Sequence, residues 1–431
     1  MRAALIALGS AGDVHPFIGI GQALLARGHA VTVYTNPVFM PLVEEAGLGF
    51  EPVGTEAAFR SAMGDPALWH PRTSLRRLWS AMAVDVGPLF HRLTRRLDPH
   101  TVMLGSLWAF GARLVQEKFD VPYLSAQVSP STLLSAEAPP VHPRFRLPGA
   151  MPVAARRLAI GLIERAVLDR TMGPALNQLR RGLGLAPVQR ILGRWMHSPQ
   201  GVLGLFPEAF APRQRDWPAP YTACGFPLFD AAEDGAMDED LRGFLDAGRP
   251  PVIVTPGSGA PHGPRFFATA LAVLQRTGQR GVLLGADAMH LPDLPSTVRA
   301  RAYVPLSRLL PHARALWHHG GIGTSAFGLA AARPQLVTPF AHDQFDNAAR
   351  LQRLGVALPA RRGGDPSSVD ELAHRLGELL GHAGVPDRCR AFQRQLESPD
   401  RARARVVRAL EQLHAQRPAL HIDPEPAHVP A

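Results

Sequence analysis

The stretch ALWHHGGIGT, residues 315–324, constrains this fold more than any other part of the sequence. A short apolar run that ends in two histidines and a glycine turn, then enters a helix-forming segment, reads as a buried parallel strand handing the chain to a helix. The loop carries so little side chain that a ligand can approach its backbone. The start of the chain has a counterpart. Residues 3–8 read as a buried strand, Gly9 to Pro16 as the loop, residues 17–27 as a helix stopped by Gly28, and residues 30–34 as a second strand, a unit of the right-handed crossover type.

That alternation continues at residues 102–104 and 123–125, so residues 1–215 read as one doubly wound α/β domain. Proline, glycine and acidic residues then gather, which places a linker at residues 216–235. The alternation restarts at residues 251–255, 281–284, 315–317 and 335–338, giving a second parallel-sheet domain over residues 236–387. Residues 388–415 read as a charged amphipathic helix packing back toward the first domain, and residues 416–431 as a disordered tail. A chain of 431 residues is long enough to build two such cores.

Composition narrows the function classes. With no run of about 20 apolar residues and no leader pattern, the expected location is the cytoplasm. The net charge of +10, carried almost wholly by arginine, suits an anionic substrate, an anionic membrane surface or nucleic acid, or is simply a basic solvated surface. Nucleic acid is not expected, because neither an RNA-binding aromatic motif nor a basic recognition helix is present. Cys224 and Cys389 stand far apart without ligand spacing and the 18 histidines form no HExxH, so no metal site is expected. Two arginine-rich amphipathic segments, residues 74–97 and 154–181, read either as packing helices or as a surface that meets lipid.

Three clusters could carry chemistry. In His318-His319-Gly320-Gly321-Ile322-Gly323-Thr324, backbone N–H groups and a positive helix end would converge on an anion. The spacing fits neither GxGxxG nor GxxxxGKS, which argues against a dinucleotide cofactor or a P-loop. A histidine on one diphosphate oxygen with Thr324 on the other phosphate would hold a pyrophosphate; a tight turn around core histidines is the alternative. Asp343-Gln344 could clamp the vicinal hydroxyls of a sugar, although Asp343 could equally be a helix N-cap. Asp13 could accept the proton of an attacking hydroxyl; it could also be an N-cap, and His15 competes for the role. A pyrophosphate site beside a polyol site implies a nucleotide sugar.

With Gly28-His29 and Asn347, these clusters resemble the nucleotide-sugar-dependent glycosyltransferases of the GT-B fold, two Rossmann-like doubly wound parallel-sheet domains facing a central cleft. Longer stretches, among them MGDPALW, GFPLFD and AHDQFDNAARLQRLG, are similar to the rhamnosyltransferases of rhamnolipid biosynthesis. The resemblance implies Asp13 as catalytic base, His319, Gly321, Gly323, Thr324 and Ser258 at the donor diphosphate, Tyr303 and Val304 at the nucleobase, and Asp343 and Gln344 at the transferred sugar. It implies an inverting transfer of L-rhamnose, without a metal or a resident cofactor, from dTDP-L-rhamnose to a 3-(3-hydroxyalkanoyloxy)alkanoate. It further implies a lipid hydroxyl acceptor, a functional partner that makes that lipid, and peripheral contact with the cytoplasmic face of the inner membrane.

Two departures qualify this. Plant-type relatives place a glutamate for the ribose hydroxyls where this chain has Phe327, which suits a deoxyribose nucleotide; a plain helix core residue is the alternative. The rhamnosyltransferase branch would carry His-Pro where His318-His319 stands, a form that also resembles antibiotic and sterol glycosyltransferases. A macrolide, a sterol or another secondary-metabolite alcohol is therefore the second acceptor class. A non-catalytic nucleotide-sugar-binding subunit is the alternative from outside the enzymes, and the joint presence of Asp13 and the Asp343-Gln344 pair speaks against it.

Overall fold

The computed structural model of the chain describes residues 1–142, 147–148, 150–230, 237–257, 263–285, 294–360 and 368–416. These residues form two sheets whose strands all pair in parallel. The first contains β1 (Arg2–Ile6), β2 (Ala30–Thr35), β3 (Gly49–Pro52), β4 (Thr101–Gly105), β5 (Tyr123–Gln127), β6 (Val202–Gly204) and β7 (Tyr221–Ala223), in the order β3-β2-β1-β4-β5-β6-β7. The second contains β8 (Val252–Thr255), β9 (Gly281–Leu284), β10 (Val298–Arg301), β11 (Ala315–His318), β12 (Gln335–Val337) and β13 (Ala357–Pro359), in the order β10-β9-β8-β11-β12-β13. Helices cover both sheets, so central strands such as β4, β8 and β11 are buried on both faces, which is why they read as unbroken apolar runs rather than as alternating ones. This is the two-domain GT-B architecture.

Strand order reverses between β1 and β4 in one sheet and between β8 and β11 in the other. Loops leaving the two central strands on either side of such a reversal part and open a crevice. Asp13 follows β1, and His319 follows β11, so each sheet contributes its switch-point loop.

Several local expectations are corrected. The first helix spans Ala11–Leu25 rather than starting at residue 17, and so contains Asp13, His15 and Pro16. Ser10 sets its start: the residue is extended, and its N–H and hydroxyl both donate to Asp13 Oδ2, at 2.8 and 3.1 Å. Pro16 falls inside the helix, where it withholds a backbone donor from the Gly12 carbonyl. Residues 388–415 are two helices, Gly384–Gln393 and Pro399–Ala415, because the Ser398 hydroxyl caps Arg401 N and Pro399 takes the first helical position. Within the stretch expected as a linker, residues 221–223 form β7 of the first sheet; residues 231–235 of that stretch lie outside the described residues, as does the tail from residue 417.

The helix Pro399–Ala415 lies against the first helix. Val406, Val407 and Leu410 join Leu5, Ile20 and Leu24 in one core, and Glu411 receives Arg27 at 2.8 Å and His29 at 2.9 Å. The second arginine-rich segment is helical throughout, Val153–Ile163 and Arg170–Gly182 joined by a π-helical turn at Glu164–Asp169. No described helix is long and apolar enough to cross a membrane.

Candidate active site

A cavity of about 1400 Å³ lies between the C-terminal ends of the two sheets. The first helix and the helix Ile322–Ala330 both begin at its wall, and their first turns pack together there: a Cβ on Gly323 would stand 3.8 Å from Gly12 Cα. Two positive helix ends therefore converge on one space, the arrangement that favours a multiply charged anion. Asp13, Tyr303, Val304, His319, Gly321, Gly323, Thr324, Asp343 and Gln344 all line this cavity. Ser258 lies outside the described residues.

The two adjacent histidines do different work. His318 is the last residue of β11 and is fully buried. Its Nδ1 accepts from Gly320 N at 3.1 Å and its Nε2 meets Gln335 Oε1 at 2.9 Å, which fixes the neutral Nε2–H form and pins the turn. Burial pushes its pKa down to about 3, so it carries no charge. His319 instead turns into the cavity, over Gly257 and Gly321; a Cβ on either glycine would overlap its ring. Its Nδ1 is buried without a hydrogen-bond partner among the described residues. A buried orphan nitrogen at an anion site is an opening for a ligand atom. Burial lowers the His319 pKa to about 4, and a phosphate placed beside it would raise it again. Gly320 has φ +95°, and a side chain there would collide with Val337 and the Gln344 carbonyl, so the turn must be glycine for the two loops to touch.

Asp343 precedes the helix Gln344–Arg353 but makes no capping hydrogen bond. Its Oδ2 instead accepts from Asn347 Nδ2 at 2.7 Å. Burial and the charge of Asp13 across the cleft raise its pKa to about 7, while the Asn347 bond acts the other way. Gln344 departs from the expected role in part: its Oε1 accepts from Phe340 N and Ala341 N, at 2.7 and 3.0 Å, which leaves only the Nε2 donors to meet a sugar. Asp13 spends Oδ2 on Ser10, and burial raises its pKa to about 6. A carboxylate with that proton affinity, on the cavity wall, can take a proton near neutral pH. His15, the competitor, lies edge-on to Phe229 with ring centroids 5.9 Å apart, and burial drops its pKa to about 4.

At the far side of the second domain, Val304 is buried among Leu309, Leu310 and Leu316, while Tyr303 is 38% exposed on the cavity rim. Phe327 packs partly on the same core and also lines the cavity, so a packing role and a cavity-wall role coexist.

The other arm of the cavity runs into the first domain and is walled by apolar side chains, among them Leu78, Met82, Trp108, Ile160, Ile163 and Leu192. Leu78 and Met82 come from the helix Ser74–Thr94, Ile160 and Ile163 from the helix Val153–Ile163, Leu192 from the π-helical turn Ile191–Trp195, and Trp108 from the loop before the helix Phe110–Phe119. Helical periodicity marked the two arginine-rich segments as amphipathic without showing which apolar positions face a cavity instead of a core. Trp69 was missed as well. It meets His342 across the cleft, ring centroids 5.5 Å apart, and His342 holds the left-handed φ of 56° next to Asp343. A single tryptophan in an irregular stretch gives no pattern to find it by. Among the described residues no group of three or more His, Cys, Asp or Glu could hold a metal ion.

Comparison with known proteins converges on one group. Residues 3–137 match the glycosyltransferase family 28 N-terminal domain, and residues 280–403 match the erythromycin biosynthesis protein CIII-like C-terminal domain. O-mycaminosyltylonolide 6-deoxyallosyltransferase of Streptomyces fradiae is 30% identical over 381 residues, covering 83% of this chain and 85% of that protein. Among solved structures, the glycotransferase of kitacinnamycin superposes with a TM-score of 0.72 at 22% identity, over 97% of this chain and 99% of that one. The spinosyn rhamnosyltransferase complexed with thymidine diphosphate gives 0.65 at 20% identity, over 95% of this chain and all of that one (100%). At these identities the two structures speak for the fold.

Proposed function

Since the chain belongs to the GT-B glycosyltransferases with a family 28 N-terminal domain and an erythromycin CIII-like C-terminal domain, we propose that it transfers L-rhamnose from dTDP-L-rhamnose to the hydroxyl of a 3-(3-hydroxyalkanoyloxy)alkanoate. The observation that carries the acceptor is the apolar arm of the cavity. Val84 and Val167 line that arm and are themselves exposed, and the outward face of the helical segment that holds Val167 carries Leu158 and Leu162 at 67% and 57% exposure. An acceptor with two acyl chains needs such a path, and a membrane surface would cover it while Arg157 and Arg165 on the same segment meet anionic headgroups. A partner enzyme that makes the hydroxyacyl lipid would deliver its product to that surface.

The donor would lie with its thymine at Tyr303 and Val304, its diphosphate between the two helix ends beneath His319, Gly321, Gly323 and Thr324, and its sugar against Asp343 and the Gln344 amide. Thymidine diphosphate in the spinosyn rhamnosyltransferase structure and the apolar Phe327 in place of a ribose-binding carboxylate both support a deoxyribose nucleotide. Asp13 takes the proton of the acceptor hydroxyl as its oxygen bonds to the anomeric carbon. The bond from that carbon to the diphosphate breaks, and the helix ends and His319 receive the charge. One displacement gives inverted configuration. Closure of the domains over the donor would keep water from it.

The second reading, a macrolide or related secondary-metabolite alcohol as acceptor, is favoured by the 30% identity to the Streptomyces fradiae deoxyallosyltransferase. Purified protein given dTDP-L-rhamnose with a hydroxyalkanoyloxyalkanoate or with a panel of macrolide aglycones separates the two. The lipid reading expects a rhamnosyl lipid and little macrolide product, and the reverse yield overturns it.

A further inference from the structure

Asn347 is fully buried, and its side-chain amide is used at both ends. Nδ2 donates to Asp343 Oδ2 at 2.7 Å and to the Gly320 carbonyl at 3.0 Å, while Oδ1 receives the Ser129 hydroxyl at 3.3 Å. These partners come from three places: the loop before the helix Gln344–Arg353, the turn after β11, and the loop after β5 in the other domain. Turning the amide over would set its oxygen against a carboxylate and a carbonyl, so only one orientation is satisfied. Ser129 lines the cavity near Thr132 and Leu134 and shares its hydroxyl with Ser131 at 3.2 Å. The neighbouring residue doubles the seam: Asp346 accepts Val141 N at 2.9 Å and holds Arg350 at 2.7 Å, both inside the interface.

We propose that Asn347 is a positioning residue for glycosyl transfer, holding Asp343 and the diphosphate turn in working orientation only while the acceptor-side loop of the first domain is seated through Ser129. The inference rests on the reading that Asp343 contacts the transferred sugar. Asn347 touches no substrate itself. It acts by fixing one oxygen of Asp343, and it opposes the burial and the charges of Asp13 and Asp346 that would otherwise keep that carboxyl protonated.

The test compares the affinities of dTDP and of dTDP-L-rhamnose by calorimetry; their ratio is the sugar's share of binding. Asp343→Ala examines the underlying reading and should collapse the ratio. Ser129→Ala removes one hydroxyl and should leave dTDP affinity within about twofold while reducing the ratio roughly 3- to 10-fold, the loss of one ordinary hydrogen bond. Asn347→Ala should reduce it further and move the acid limb of that ratio, where Asp343 protonates, to higher pH. A purely structural role would lower the melting temperature of both variants and leave ratio and limb in place. That outcome, with Asp343→Ala still collapsing the ratio, overturns the inference and spares the sugar reading; an unchanged ratio in Asp343→Ala overturns both. If Asn347→Ala does not fold, the ratio in Ser129→Ala decides.

Discussion

Asp13 and Asp343 face one cavity from opposite domains, and each is harder to ionise than a carboxyl in water, with pKa values near 6 and 7. Burial is the main cause in both, and the charge of Asp13 adds to the difficulty of ionising Asp343. A base acts only when ionised, so turnover should fall as pH drops through about 6, where Asp13 protonates. Asp343→Asn replaces a group already neutral at that pH and should leave this limb near 6 in initial-rate profiles; a limb that moves to lower pH would show the two carboxyls to be coupled. Asp13→Asn keeps the shape and removes the base, and should cut kcat about 10²- to 10⁴-fold with dTDP affinity kept, as rates and calorimetry together would show. His319→Ala should instead weaken dTDP binding about 10- to 100-fold, the loss of a hydrogen bond to a charged group. These positions were legible because glycine, histidine and carboxylate sat at strand ends. How each atom is spent was not. Gln344 gives its carbonyl oxygen to its own loop and Asp343 leaves the cap position unused, facts that depend on where two backbone amides and Asn347 come to rest.

At the scale of elements, the strands could be read because strands buried on both faces are apolar throughout, while β6, β7 and β13 are three residues long and carry no period to detect. The first helix was displaced in the reading by Pro16, which usually marks a helix start; Ser10 and Asp13 outweigh it with hydrogen bonds local to the first turn. The segment around residue 160 was legible as amphipathic but not in its use, since one face lines a cavity and the other faces outward. Its outward leucines give a prediction. Leu158→Glu with Leu162→Glu should reduce flotation with vesicles containing anionic phospholipid and raise the KM for a vesicle-borne acceptor several-fold, with dTDP affinity and melting temperature unchanged. Equal flotation would remove this face from lipid contact.

At the scale of the molecule, the site exists only where the domains meet. Each sheet provides a switch-point loop, each loop ends at a helix N-terminus, and on the proposed function both ends meet the donor diphosphate. Sequence shows the two loops separately; that Gly12 and Gly323 approach within van der Waals range, or that Trp69 reaches His342, follows from the packing of one domain on the other. The account predicts that one chain binds donor and acceptor together and transfers with inversion. The most direct measurement is nuclear magnetic resonance of the product formed by purified protein from dTDP-L-rhamnose and a hydroxyalkanoyloxyalkanoate. A rhamnosyl lipid with anomeric configuration opposite to the donor, lost in Asp13→Asn, is the predicted result; retained configuration, or undiminished product from Asp13→Asn, would contradict it.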